Sequence, residues 1–252
     1  MWRAEARRGL AAALVLICAP VMATALDCSQ TRFEEVSYTV CKVDAVQSDL
    51  RVFLHDAETG RVLGNFRRVA DQLRARGETL VFAMNAGMYH PDRSPVGHYV
   101  EDGEEITPVV TAGSEGNFGL LPNGIFCIRD QRADVIETRR FLRKAPACRH
   151  ATQSGPMLVI DGDLHPRFLA HSTTAFIRNG VGTSNDGRKV WFVMADDGVN
   201  FHGFGRFFRD VLGADQALYL DGNRSRLYAP DLSRNDLGLP MGPIVGVVTK
   251  AE

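Results

Sequence analysis

Apolar positions along the chain fall in short runs, and most of these runs end in a polar residue and a glycine. Val190–Met194 is an almost unbroken apolar run, the pattern of a strand covered on both faces, and Asp196-Asp197-Gly198 follows it. Ala217–Leu220 is a second, ended by Asp221-Gly222-Asn223-Arg224-Ser225. Thr79–Met84 leads straight into Asn85-Ala86-Gly87-Met88-Tyr89-His90-Pro91. Met157–Ile160 is entered through Gln153-Ser154-Gly155-Pro156 and left through Asp161-Gly162. Glu35–Val43, Leu50–Leu54 and Pro243–Thr249 complete the strand-like runs. Helical spacing occurs twice. Phe66, Val69, Ala70 and Leu73 form one stripe, capped by Asn65, carried to about Arg76 and stopped by Gly77. Phe201, Phe204, Phe207, Phe208, Val211 and Leu212 form another, ended by Gly213, and core packing accounts for its phenylalanines.

Between Ser94 and Ile128 turn chemistry is dense, with Glu101-Asp102-Gly103, Gly113-Ser114-Glu115-Gly116-Asn117 and Pro122-Asn123-Gly124. Asn123-Gly124, set between Phe118–Leu121 and Ile125–Ile128, predicts a hairpin within an antiparallel meander. Residues 130–153 read as a strand or short helix followed by a surface loop tied by Cys148. The stretch from Arg178 to Ser225 reads as strand, tight turn, strand, helix, strand. Strands outnumber helices, and no repeat, low-complexity tract or linker divides the chain. The pattern predicts one α+β domain with a mixed, largely antiparallel sheet flanked by a few helices.

Composition adds compartment and partners. The 252 residues carry a formal net charge of −1, so no overall field favours nucleic acid. Arg3, Arg7 and Arg8 precede the apolar run Leu10–Val21, and Ala23-Thr24-Ala25 supplies small residues for cleavage. Residues 1–25 are therefore expected to be a removable export signal, leaving 26–252 in the periplasm or secreted, with no lasting membrane anchor. Loss of Cys18 with that signal leaves Cys28, Cys41, Cys127 and Cys148. Four cysteines permit three connectivities; Cys28–Cys41 and Cys127–Cys148 are expected because each closes a local loop.

The candidate chemistry sits at strand ends: Asn85, Ser154, Arg178, Asp196, Asp197, Asp221, Asn223 and Arg224. An arginine beside glycine-rich turns suits a phosphate, and paired carboxylates suit glycosidic cleavage. Singly, each aspartate reads as a turn residue and Arg178 as a surface ion pair; several such ends in one domain point to a site. There is no G-x-S-x-G elbow, P-loop, H-E-x-x-H or G-x-G-x-x-G. Ser154 therefore reads as a turn former or hydrogen-bond donor, with no base in hydrolase order around it. His90, His98 and His202 are further candidates, His90 as a proton carrier beside the Asn85–Tyr89 turn. Asp196, Asp197 and Asp221 offer hard oxygen ligands for calcium or magnesium, though no EF-hand loop surrounds them.

The ordered pieces N-A-G-M-Y (85–89), Q-S-G-P-M-L-V-I-D-G (153–162), R-N-G-V-G (178–182), D-G (197–198) and L-D-G-N-R-S (220–225) resemble the phosphodiester glycosidase family. Residues 84–97, with the later G-N-F and P-N-G, resemble a bacterial exported branch of it. That is the family of the enzyme that uncovers a sugar phosphate by removing N-acetylglucosamine from a sugar-1-phosphodiester. The resemblance implies an exported hydrolase cleaving the glycosidic bond of a sugar phosphodiester. It also implies that Asn85 and Gly87 line the pocket, that Arg178 meets the phosphodiester and that Asp221 with Gly222 forms the catalytic rim. To these the strand-end reading adds Asp197 as a second catalytic carboxylate and Tyr89, His90, Ser154, Asn223 and Arg224 as substrate-binding candidates. One departure stands out: the family continues D-G-G-G-S-S, whereas Asn223-Arg224 here replace two glycines. That favours an alternative, a non-catalytic module binding glycan or envelope polymer in the same cleft.

Overall fold

The computed structural model describes residues 25–222 and 225–251. The expected signal (1–24 of it), Cys18 and the pair Asn223-Arg224 lie outside the described residues. The first third of the chain forms β1 (Leu26–Phe33), β2 (Val36–Asp44), β3 (Asp49–Phe53), α1 (Phe66–Arg74) and β4 (Glu78–Asn85). The middle supplies β5 (Tyr99–Glu101), β6 (Glu104–Thr107), β7 (Gly124–Arg129), β8 (Arg132–Glu137), α2 (Thr138–Lys144) and β9 (His150–Ser154). Then follow β10 (Met157–Ile160), β11 (Asp163–Leu164), β12 (Asn179–Thr183), β13 (Lys189–Ala195) and α3 (Phe201–Arg206). The chain closes with β14 (Gln216–Asp221), β15 (Leu227–Ala229), β16 (Arg234–Asn235) and β17 (Ile244–Lys250).

These strands build three sheets in place of the single mixed, largely antiparallel one expected, in the orders β1-β2-β13-β12-β14-β10-β11, β16-β15-β4-β17-β3 and β6-β5-β9-β7-β8. The strand pairs within the sheets are antiparallel, so the molecule is mainly sheet with few helices. The three inner faces meet around Phe192 of β13. Its ring lies 4.9 Å from that of Phe82 in β4 and 5.8 Å from that of Phe126 in β7. Val43, Val52, Met84, Met157, Val181, Leu218 and Val245 fill the space between. Such unbroken apolar strands are what burial on both faces requires.

Two of the three sheets carry one each of the expected helices. Asn65 caps α1 by accepting from the Arg68 N–H at 2.9 Å, and Phe66, Val69 and Leu73 pack on β4 and β17. On the other side Phe204, Phe207 and Phe208 are buried against β13 and β14, and α3 widens into a π-helical turn over Phe207–Val211. The disulfides are Cys28–Cys41, which staples β1 to β2, and Cys127–Cys148, which ties β7 to the approach to β9. None of the described helices is long and apolar enough to cross a membrane.

The Asn123-Gly124 hairpin is a correction. Asn123 is buried, its amide donating to the Phe118 carbonyl at 3.2 Å and accepting from Thr138 Oγ1 at 2.7 Å. Gly124 opens β7 because a Cβ there would lie 2.4 Å from Met157 Sδ. The turn that closes β7 onto β8 is Asp130-Gln131, with Gln131 at φ 58°. An interior hydrogen-bond network thus claims the asparagine that an exposed hairpin would have used. Residues 130–153 hold both a strand and a short helix, β8 and α2, and then an outer stretch at 145–149; the revision is that the loop ends there, in the fully buried strand β9.

Candidate active site

Two sheets meet end to end where β4 stops at Asn85 and β12 starts at Asn179. Both side chains are fully buried, and each amide satisfies the other. Asn85 Nδ2 donates to Asn179 Oδ1 at 3.3 Å; Asn179 Nδ2 donates to Asn85 Oδ1 at 3.1 Å and to the Asn85 carbonyl at 2.9 Å. The remaining acceptor capacity fixes the turn after β14. The Asp221 N–H donates to Asn179 Oδ1 at 2.9 Å, and the Arg226 N–H donates to Asn85 Oδ1 at 3.0 Å. Ser225 Oγ closes the same turn onto the Asp221 carbonyl at 3.0 Å. Buried amides need all their partners, and here those partners are backbone groups on either side of Asp221.

Ser154 completes the frame from β9, its hydroxyl donating to the Leu220 carbonyl at 2.9 Å from full burial. It acts as the hydrogen-bond donor expected of it. Gly87 has φ 155°, and a Cβ there would lie 3.0 Å from Thr152 Oγ1, so the Asn85–Tyr89 turn can lie flat on β9 only with glycine. Gly222 is required by a different contact: a Cβ would lie 2.1 Å from the Tyr219 hydroxyl.

Over this frame lies an open cleft of about 370 Å³. Met88, Tyr89 and Val96 line it from the turn after β4, Ser114–Phe118 line it from the long loop before β7, and Asp221 joins them. One Asp221 carboxylate oxygen accepts from the Gly222 N–H at 2.7 Å, which holds the side chain close to its own backbone. Two larger hollows, about 470 Å³ each, flank α1 and include none of Asn85, Arg178 or Asp221. Size alone would misplace the site.

Arg178 is not the surface ion pair that its composition suggests. It is 1 % exposed, its Cζ lies 3.8 Å from the centroid of the Phe201 ring, and Phe176 and Tyr219 stand at 5.4 Å. Nε donates to the Val199 carbonyl at 2.7 Å and Nη2 to the Thr174 carbonyl at 3.3 Å. Nη1 is buried without a hydrogen-bond acceptor, and among the described residues no carboxylate forms an ion pair with the guanidinium. The Tyr219 hydroxyl lies beside the guanidinium without closing an aligned bond to Nη1, and it also meets the Asn117 side chain. Burial pulls the Arg178 pKa below its ordinary value, partly offset by Tyr219. Burial likewise pushes the Tyr219 phenol up to about 12, against the opposing pull of Arg178. A continuous path therefore runs from guanidinium to phenol to Asn117, which lines the cleft.

The other aspartates lie apart. Asp196 accepts from Thr39 Oγ1 at 2.8 Å and from Arg234 Nη1 at 2.6 Å, so it is a structural ion pair. Asp197 accepts from the Ser37 N–H at 2.9 Å on the β2 side of the sheet, and those Ser37 bonds hold its carboxyl below the usual range. It does not line the cleft that holds Asp221. Among the described residues no group of three acidic, histidine or cysteine side chains is placed to hold a metal ion. His90 is exposed, with its backbone N–H on the Ser94 carbonyl; His98 is buried, its Nδ1 3.0 Å from the Thr107 carbonyl.

The structure thus brings Asn85, Ser154, Gly87, Gly222 and Asp221 together, with Tyr89 on the cleft and Arg178 behind it. Sequence reading missed Asn179, Tyr219, Asn117 and Glu115. An asparagine opening an apolar strand directly after Arg178 is a usable signal, because strands disfavour asparagine. Tyr219 gives none, since A-L-Y-L reads as plain core.

Comparison with known proteins then decides the family. A model of the phosphodiester glycosidase (NAGPA) family matches residues 78–238, well over half of the chain. The chain belongs to the phosphodiester glycosidase family. It is 28 % identical over 215 residues to the uncharacterized protein YigE of Escherichia coli (strain K12), covering 85 % of this chain and 83 % of that protein. Its fold resembles the catalytic domain of zebrafish N-acetylglucosamine-1-phosphodiester alpha-N-acetylglucosaminidase, auto-inhibited by its pro-peptide. The TM-score is 0.62 at 15 % identity, with 90 % of this chain and 85 % of that one covered. A hypothetical protein from Synechocystis is similar at TM-score 0.57 and 11 % identity, over 89 % of this chain and 62 % of its own. At these identities the structural likeness is one of fold; the family pieces at Asn85, Ser154, Asn179 and Asp221 fall on the two-asparagine frame and the Asp221 turn, and Asp197-Gly198 lies apart.

Proposed function

We propose that this family member is an exported hydrolase that cleaves the glycosidic bond of a sugar phosphodiester. The observation that carries the reading is the buried Arg178 guanidinium, which has no carboxylate partner among the described residues yet connects through Tyr219 and Asn117 to the cleft holding Asp221. A cation kept out of water without a counter-ion costs several kcal/mol, on the order of the penalty for a broken buried ion pair. A bound phosphodiester carries the missing charge, and fixed positive potential behind the cleft stabilises it without reorganisation.

The chemistry suits a carboxylate at the other side of the scissile bond. As the bond from C1 to the phosphate oxygen breaks, its electron pair passes to the phosphate and positive charge grows at C1. Asp221 is fixed through its own N–H and through Gly222, so it meets that charge with little reorganisation. The leaving phosphomonoester has a second pKa of about 6, so it departs with little protonation. The two disulfides fit an oxidising compartment, in line with the expected export signal.

The test is incubation of the purified mature protein with N-acetylglucosamine-1-phosphodiester and related sugar 1-phosphodiesters, following reducing sugar and phosphomonoester. In ¹⁸O-water the label should appear in the sugar hydroxyl; label in phosphate would sink the proposed bond fission. Asn223-Arg224, in place of the family's glycines, favours the second reading, a glycan-binding module. Saturable binding with no product would decide for it.

A further inference from the structure

We propose that Glu115, on the loop before β7, is the second carboxylate of this reaction and takes the proton from the attacking water. The inference rests on the glycosidase reading above, and it puts Glu115 in the role of second carboxylate that the reading of the sequence gave to Asp197. Among the described residues Asp221 and Glu115 are the acidic groups that line the cleft, and they reach it from different elements. Asp221 arrives on the end of β14. Glu115 arrives on the facing loop, is exposed, and forms no ion pair among the described residues.

The loop is built to hold it there. Gly119 folds back so closely on Ser114 that a Cβ would lie 1.8 Å from the Ser114 carbonyl oxygen. Gly116, next to Glu115, has φ 79°, a turn that glycine makes without strain. One residue further on, the Asn117 side chain meets the Tyr219 hydroxyl, which is itself placed beside Arg178. The buried cation with its unfilled Nη1 is therefore linked to the same loop that carries the second acid. A lone acidic loop would say little. This one is anchored to the charge that the substrate phosphate would neutralise.

The division of labour follows from the leaving group. A phosphomonoester leaves with little protonation, so the proton that needs an acceptor belongs to water. Water oxygen bonds to C1 as the C1–O bond to phosphate breaks, the bond pair leaves on the phosphate oxygen, and the water proton passes to the Glu115 carboxylate. Glu115 then returns that proton to solvent. The rigidly held Asp221 faces the charge at C1, and the solvent-side Glu115 faces the water.

The experiment compares wild type, Glu115→Gln, Glu115→Ala and Asp221→Asn on one sugar 1-phosphodiester. Glu115→Gln should lower kcat roughly 10²–10⁴-fold, with KM changed only a few-fold. Azide, which attacks C1 without needing a base, should restore phosphomonoester release to Glu115→Ala, with glycosyl azide as the other product. Wild-type turnover matched by Glu115→Gln would overturn the assignment and leave the glycosidase reading standing. Loss of turnover in Asp197→Asn with Glu115→Gln intact would return the role to Asp197. No turnover by wild type on any sugar phosphodiester would overturn both.

Discussion

Strand β4 has charged company at one end and a cleft at the other, and the two ends treat an arginine in opposite ways. At its start, Glu78 receives Arg51 Nη1 and Nη2 at 3.0 and 2.6 Å; Arg51 also reaches Asp49, which Arg149 Nη2 meets at 2.7 Å. Two guanidinium groups face two carboxylates. The Arg51 bond holds Glu78 below the usual carboxylate range. At its finish Asn85 bonds to Asn179, and the guanidinium of the residue before Asn179, Arg178, is more deeply buried than Arg51 and has no carboxylate partner among the described residues. Charge is cancelled where the sheet only has to hold together. It is left open beside the cleft, where a substrate would supply the partner.

The sharpest way to break that contrast is at Asp221. Asp221→Asn keeps the backbone bonds to Asn179 and Gly222 within reach but removes the charge. Turnover of a sugar phosphodiester should fall about 10²–10⁴-fold with the urea midpoint nearly unchanged, as expected for a group used in the reaction. A variant that loses activity only because it unfolds would show the cleft end to be structural too. The converse holds for the disulfide Cys127–Cys148, whose second cysteine lies two residues before β9 begins at the Glu78 end. Replacing both cysteines by alanine should cost about 2–4 kcal/mol in urea unfolding, with kcat of the folded fraction preserved.

A paired substitution separates the two arginines directly. Arg51→Met leaves the Asp49 and Glu78 carboxylates short of donors and should destabilise by about 1–3 kcal/mol without changing kcat. Arg178→Met removes an uncompensated buried cation while keeping a long apolar stem against Phe201, so its stability change should be the smaller of the two. Its KM for phosphodiester should rise and its kcat fall. Equal stability losses with intact kinetics in both would make Arg178 one more structural arginine.

Much of this contrast was legible in the chain and some was hidden for a definite reason. Apolar runs ending in Asn85, Asp196 and Asp221 located the strand ends, because a strand buried on both faces needs an unbroken apolar stretch. Asn65 and Gly77 bounded α1 by local chemistry that needs no tertiary partner. The number of sheets was not legible, since antiparallel neighbours such as β2 and β13 are far apart in the chain and paired by shape. Asn123-Gly124 misled because a side-chain network inside the fold outweighed a local turn preference. That Asp197 lies off the cleft was hidden because its carboxylate turns to the Ser37 N–H, a partner 160 positions away that no local pattern shows. Tyr219 and Asn117 matter only through each other, and pairs 102 positions apart leave no mark on local pattern.

The smallest effect expected is a pH signature where β5 pairs with β9, and two neighbouring groups there, Glu101 and His150, should nearly hide it. Burial pushes the Glu101 carboxyl up to about 7, partly opposed by the hydrogen bond from Tyr99. A carboxyl raised in the fold favours folding when protonated: its contribution is complete below its ordinary value of 4.5 and is lost as pH climbs to about 7. His150, fully buried with Nδ1 accepting from the Asp102 N–H, is driven down by burial to about 4. Its contribution runs the other way, complete above its ordinary value of 6.5 and lost as pH falls toward 4. Between pH 4.5 and 6.5 the two slopes oppose, so the wild-type urea midpoint should be almost flat and then dip toward pH 7. Glu101→Gln should uncover the histidine slope, with stability rising over that window, and His150→Gln should uncover the opposite one. Parallel pH profiles for wild type and Glu101→Gln would mean that Glu101 ionises within the fold as freely as in water.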